Sequence, residues 1–283
     1  MSVGVTNGPN APVIVGPAPA KPAFLRQRRD PPRLLTPIRR RLRHAYVRLT
    51  EAGWLGLKPL ETHVVICGFP RSGTTMLQLM FESAVDDAKA FGRERSGLSV
   101  ARYTWPGRHS VFLSKKPDDV FYVSEIRDYY RDLKTTVKFV LSVRDPRAVL
   151  TSRHVSKPGY TVPTEKWLAV DAHIAYQRQF PDVIVTEYRD AVERPRDVQE
   201  RLVAFTGLPL KGNFDDFHKD FPEHFDTRAL NGVRPIDRAS LDKWRAPEHR
   251  ERIQQILREI PDLPQRLVEG GYEPDTSWTD AYR

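Results

Sequence analysis

The chain has 283 residues, 40% of them hydrophobic, and a formal net charge of +9. That supports one good α/β core without requiring a second, and the positive balance suits an acidic ligand or an anionic surface, while the absence of zinc-finger spacing and of repeated basic-aromatic patterns argues against a nucleic-acid module. A single cysteine, Cys67, excludes intrachain disulfides and fits a reducing compartment; with no apolar run near the ~18 residues of a membrane span and no leader-like start, a cytoplasmic location is expected.

Residues 1–36 carry Pro9, Pro12, Pro17, Pro19, Pro22, Pro31 and Pro32 among Gly, Ala and Asn, a composition expected to form a flexible tail. Residues 37–60 are expected to hold a basic amphipathic helix and a linker. Ile38, Leu42, Ala45 and Leu49 share one helical face and arginines fill much of the remainder. The preferred expectation is that this apolar stripe packs on the core and the arginines are solvated; the competing one is a weak contact of residues 37–50 with an anionic membrane. Residues 61–283 are expected to form a single α/β domain.

That domain opens with Val64-Val65-Ile66-Cys67-Gly68, passes through Phe69-Pro70-Arg71-Ser72-Gly73 and enters good helix formers at Thr74, which reads as strand, tight loop and helix over about 63–84. Cys67, inside that strand, reads as a small buried hydrophobe. A short strand follows at 88–91, then a loop with Tyr103, Trp105, Pro106 and His109, a strand at 111–114 and a helix over 122–134. Residues 136–143 give the strongest buried-strand signal, running into Arg144-Asp145-Pro146, where Pro146 can open a helix. A helix over 164–180 capped by Thr164, a strand at 183–186, a helix over 195–205 closed by Gly207 and a helix over 247–260 complete the pattern. Alternating strands and helices predict a three-layer fold, a central parallel sheet flanked by helices, with ligands at the strands' C-terminal ends.

Two motifs carry chemistry. A strand-loop-helix junction aims backbone N–H groups and a helix dipole at one spot and so suits a phosphate or sulfate; Gly68 and Gly73 allow close approach, Arg71 adds charge, and Ser72, Thr74 and Thr75 add donors. The spacing matches the nucleotide-triphosphate loop except that Thr74 stands where its lysine belongs and the cation has moved to Arg71. In the second motif Arg144 ends a strand and Ser152 follows eight residues later, so that both could meet one phosphate, with Ser152 placed two turns into the helix. An ordinary capped helix start has the same residues.

Together and in this order, Pro70-Arg71-Ser72-Gly73-Thr74-Thr75 and Arg144…Ser152 resemble the nucleotide-binding motifs of sulfotransferases that use 3′-phosphoadenosine 5′-phosphosulfate (PAPS). In style they are nearest the bacterial carbohydrate-type and tyrosylprotein enzymes. The resemblance covers about 63–272 and implies a P-loop-like sulfotransferase fold. It also implies transfer of a sulfuryl group from PAPS to a hydroxyl, less readily an amine, with adenosine 3′,5′-bisphosphate (PAP) as product and no metal. By the same resemblance Tyr188 lies near the adenine, Arg238 contacts the 3′-phosphate, Lys115 meets the bridging oxygen and Glu94 is the base; no His occupies the position of the cytosolic members' catalytic His, and His109, upstream beside Trp105 and Pro106, is only the fallback base. Met76 departs from the family's cytosolic members, which have Trp there. The alternatives are a P-loop kinase or NTPase and a non-catalytic nucleotide-binding protein of the same fold. The acceptor, a small molecule, carbohydrate or lipid, would sit among 96–109, 157–163 and 213–234; neither its identity nor an oligomeric state is specified by the residues.

Overall fold

Strand Thr62–Gly68 (β1) is buried along its whole length at the centre of a five-stranded sheet. The computed structural model describes residues 16–26, 36–54, 56–91, 94–154, 157–219 and 236–283. Around β1 stand β2 (Ala88–Ala90), β3 (Val111–Lys115), β4 (Thr136–Val143) and, after a small antiparallel hairpin of β5 (Arg153–His154) and β6 (Lys157–Tyr160), β7 (Val183–Glu187). The order is β2-β3-β1-β4-β7, and every pairing in this sheet is parallel. From β1 the chain crosses to the edge at β2, returns to β3 beside β1, and then passes to the other side for β4 and β7, so the end of β1 is where the strand order reverses and where such sheets bind ligands.

The helices are α1 (Ala23–Arg26), α2 (Thr36–Glu51), α3 (Thr74–Ala84), α4 (Gly97–Tyr103), α5 (Val123–Tyr130), α6 (Pro146–Leu150), α7 (Thr164–Gln177), α8 (Tyr188–Glu193), α9 (Pro195–Thr206), α10 (Arg250–Glu259) and α11 (Leu263–Glu269). Strand alternation divides them between two cores. Val64, Ile66 and Val140 pack with Leu77, Met80 and Leu202 of α3 and α9; Val65, Cys67, Phe139 and Leu141 pack with Val100, Ile126, Val149 and Trp167 on the other face. Because both faces are covered, β1 and β4 read as nearly unbroken apolar runs. The three-layer α/β architecture expected from the sequence is the one observed. Cys67 is fully buried, which pushes its thiol well up.

Several local expectations change. Residues 1–15, 27–35 and 220–235 lie outside the described residues, so the tail reading of 1–36 and the acceptor-lining role of 220–234 fall largely there. The described part of the tail includes α1, whose Leu25 is buried and whose Phe24 meets Phe121 edge to face at 6.1 Å. Residues 97–103 are helical where a loop is expected, and the 122–134 helix is a 3₁₀ turn over Pro117–Tyr122 followed by α5. Thr164 does not cap α7; it is the first helical residue, and its hydroxyl bonds Glu259 at 2.6 Å. Gly207 closes α9 at φ +69° as expected.

The largest change is α2. Its expected inward stripe faces out, with Ile38 at 55% and Leu42 at 59% exposure, while Arg43 is 1% exposed and Val47 and Thr50 are buried. Arg43 can be buried because Thr104 O accepts from its Nε at 2.9 Å and the Tyr129 hydroxyl accepts from its Nη1. No helix among the described residues is long and apolar enough to cross a membrane.

Candidate functional site

The loop that leaves β1 is shaped by two glycines and one strained arginine. Gly68 has φ +124°, and a Cβ there would lie 2.3 Å from Ser142 O of β4, so only glycine lets the two strands finish this close together. Gly73 has φ +86°, and a Cβ there would meet the Tyr188 ring at 2.4 Å. Between them Arg71 takes a left-handed backbone at φ +67°, a conformation that costs a non-glycine residue about 1 kcal/mol or more and clusters at binding sites.

Ser72 holds this shape rather than facing the crevice. It is fully buried, and its hydroxyl has one acceptor in the loop, Phe69 O (2.6 Å), and one on β4, Ser142 O (3.0 Å). Its amide donates to Phe69 O at 3.3 Å, and Ser142 Oγ donates to Ser72 O at 2.7 Å. The donor role toward an anion expected of Ser72 is not what its contacts show: its amide is taken by Phe69 O and its hydroxyl by Phe69 O and Ser142 O.

The start of α3 has no side-chain cap, so the amides of Thr74 and Thr75 have neither an intrahelical carbonyl nor a capping oxygen. Thr74 is buried and Thr75 half-buried. Two guanidiniums close on this helix start. Arg71 Nε donates to Ser152 Oγ at 2.8 Å; Arg144 donates from Nη1 to Arg71 O at 3.0 Å and from Nη2 to Ser240 O at 2.6 Å. Tyr188, first residue of α8, lies under Arg144 with 4.2 Å from guanidinium carbon to ring centre, and its hydroxyl is 2.9 Å from Ser240 Oγ. Arg71, Gly73, Arg144, Ser152 and Tyr188 therefore share one pocket. Ser152 arrives there by a different route from the one expected: α6 ends at Leu150, and Ser152 stands past its end where the chain turns into β5.

Neither Arg71 nor Arg144 pairs with a carboxylate among the described residues, and Arg144 Nε is shielded from solvent without a hydrogen-bond partner. Burial lowers the pKa of both groups, and for Arg144 the like charge of Arg71 acts in the same direction. An anion bound here would relieve that cost.

Beside this pocket, at the end of β3, Lys115 is almost wholly buried (5% side-chain exposure) and reaches Glu94 Oε1 at 3.2 Å; Glu94 itself is 57% exposed. Burial pulls the Lys115 pKa down, opposed by Glu94, and the Glu94 charge also opposes the effect of burial on Arg71. The segment carrying Glu94 is tied down by Arg95 N to Lys115 O at 3.1 Å and by Asp119, which accepts from Ser96 Oγ at 2.7 Å and Gly97 N at 2.6 Å. Burial pushes Asp119 up to about 6.

Other candidates fall elsewhere. Arg238 is exposed on a short turn, two residues before the Ser240 that touches Arg144 and Tyr188. His109 precedes the N-terminal end of β3, the opposite end from Lys115, and lies 3.5 Å from Asp87. Trp105 meets the Tyr46 ring of α2 at 4.6 Å, so the 103–109 part of the expected acceptor wall is not at the site. Met76 is buried in the core beneath α3. Ser142, Ser240 and Asp119 were not anticipated; nothing in Pro117-Asp118-Asp119 distinguishes the buried acid from its neighbour.

No protein-family model and no curated protein matches the chain. Among solved structures it is similar to the sulfotransferase domain of the Synechococcus PCC 7002 olefin synthase, with TM-score 0.47 and 18% identity over 66% of this chain and 88% of that one. It is also similar to the sulfotransferase domain of the curacin biosynthetic pathway (TM-score 0.45, 14% identity, 71% and 98% covered) and to mouse sulfotransferase SULT7A1 complexed with PAP (TM-score 0.45, 12% identity, 76% and 87% covered).

Proposed function

We propose that the chain is a PAPS-dependent sulfotransferase acting on a hydroxyl acceptor. The observation that carries this reading is the convergence of Arg71 and Arg144, neither with an acid partner among the described residues, on the uncapped start of α3 beside the Glu94–Lys115 pair. Open amides and Arg71 suit the 5′-phosphosulfate, Arg144 with Ser152 suits the 3′-phosphate, and the Tyr188 ring suits a base or ribose packed above it.

In the proposed step the acceptor oxygen forms a bond to sulfur while the bond from sulfur to the bridging oxygen breaks. The electron pair passes to the 5′-phosphate of PAP, where Arg71 and Lys115 stabilise the growing charge. The acceptor proton goes to Glu94, whose Oε1 meets Lys115 and leaves Oε2 to receive it. Fixed cations and positioned amides act through preorganisation, as in phosphoryl transfer. The kinase reading is weaker because the strand-end acid of β4, Asp145, is held by Arg147 through two side-chain contacts of 2.8 and 3.1 Å instead of facing the loop.

The test is transfer of labelled sulfate from PAPS to a panel of alcohols, sugars and phenols. Arg71→Ala should reduce transfer at least ~10²- to 10³-fold. Glu94→Gln should lose ~10² to 10⁴ in turnover while keeping PAP affinity. Wild-type turnover in Glu94→Gln would remove it as the base, and phosphate transfer from ATP with Mg²⁺ in place of sulfate transfer would replace the reading.

A further inference from the structure

Helix α2 is built the opposite way round from an ordinary surface helix. Arg43, Val47 and Thr50 grip the domain, and the Glu51 carboxylate accepts from the amide and hydroxyl of Thr135, both at 3.1 Å. The face turned to solvent carries Ile38, Leu42, Ala45 and Leu49, and Trp54 follows in the next turn at 79% exposure. From Ile38 to Leu49 this stripe is roughly 16 Å long at 1.5 Å per residue. Among the described residues nothing covers this stripe, so it is available to a partner.

Charge decides what that partner is. Residues 37–50 contain five arginines and no acid; Arg43 turns into the domain, while Arg41 and Arg48 line a groove beside the stripe with His44, Ala45, Arg102 and Tyr129. Ala45 belongs to both features, so an apolar strip and a basic groove adjoin along one helix. A second copy of the chain seated on this face would bring arginines against arginines. An anionic bilayer complements both at once: acyl chains take the leucines, headgroup phosphates take the arginines, and an exposed Trp suits the boundary between them.

We infer that the outward face of α2 is a docking surface for an anionic phospholipid bilayer. Glu51 meets Thr135 just before β4, so the C-terminal end of α2 sits at the N-terminal end of the sheet, opposite the end where the loop leaves β1. The inference stands independently of the proposed sulfuryl transfer.

The experiment is flotation of the full chain with vesicles of equal parts phosphatidylglycerol and phosphatidylcholine, against phosphatidylcholine alone. The wild type should float with the first and not the second. Leu42→Gln with Leu49→Gln leaves the charge of +9 unchanged and should weaken binding at least ~10-fold. Arg41→Glu with Arg48→Glu should abolish it, and Trp54→Ala, which removes a side chain almost wholly in solvent, should weaken it ~3-fold or more. Equal flotation of the leucine variant and the wild type would overturn the inference, because attraction through net charge alone would then account for binding. Failure of the wild type to float would also overturn it. So would a wild-type dimer by light scattering that the leucine variant turns into a monomer, which would make this face a contact between copies.

Discussion

Arg144 and Arg147 stand three residues apart on the turn from β4 into α6, and their surroundings are opposite. Arg147 is 1% exposed and fully engaged: Asp145 takes it at 2.8 Å, Glu273 accepts from Nη1, and the Trp244 and Trp278 rings cover it at 3.7 and 4.6 Å. Arg144, half-buried, has carbonyl oxygens and one aromatic ring but no carboxylate among the described residues, and its Nε has no partner. A cation whose charge is already balanced is part of the framework; a cation without a carboxylate partner among the described residues is what the proposed nucleotide site requires. The same turn supplies both, and under the proposed function the difference between them separates what folds the site from what would hold its ligand.

The comparison breaks most readily at Arg147. Arg147→Ala should destabilise by about 3 to 5 kcal/mol, because Asp145 would stay buried without its guanidinium partner and Glu273 would keep only Arg245 at 3.6 Å, and urea unfolding would measure it. PAP affinity of the folded fraction should be unchanged; a large affinity loss with little change in stability would reverse the two roles. Arg144→Ala should do the converse, weakening nucleotides with a 3′-phosphate about 10- to 100-fold, the worth of one or two charge-assisted hydrogen bonds, with little loss of stability. Equal weakening for nucleotides lacking that phosphate, by calorimetry, would make Arg144 a structural residue.

Asp119 sharpens the contrast with an acid and gives the smallest effect. Its carboxyl is buried with two donors and titrates at about 6 in the folded chain against an ordinary 3.8. A raised folded-state value means that the protonated form favours folding. Its contribution is complete below 3.8 and is lost as pH rises through about 6. Relative to Asp119→Asn, the wild type should lose stability as pH rises across that window, by at most about 1.4 kcal/mol per pH unit. A flat difference between the two proteins would show that Asp119 keeps an ordinary pKa.

The parts legible in the sequence were those set by local order. The β1 loop, the β4 turn and the alternation of strands and helices follow from short-range pattern, and Gly68, Arg71, Gly73, Arg144 and Tyr188 come together as that pattern implies. What was not legible depends on distant partners. Glu273, 126 residues from Arg147, completes a buried cluster that no local signal marks. Arg43 can turn inward only because Thr104 O and Tyr129 are there to receive it, and that reverses the face α2 was expected to bury. Ser72 matches a binding motif by position, yet its hydroxyl meets Ser142 O across 70 residues and braces the loop instead.

The most direct measurement is a thermal-shift comparison of PAP with ATP and Mg²⁺ on wild type and Arg144→Ala. A ligand at about 100 times its dissociation constant adds roughly 2.7 kcal/mol, enough to move the midpoint clearly. PAP should stabilise the wild type and stabilise Arg144→Ala much less, and ATP with Mg²⁺ should do little to either. Stabilisation by ATP with Mg²⁺ alone, or an undiminished PAP shift in Arg144→Ala, would contradict the proposed nucleotide site.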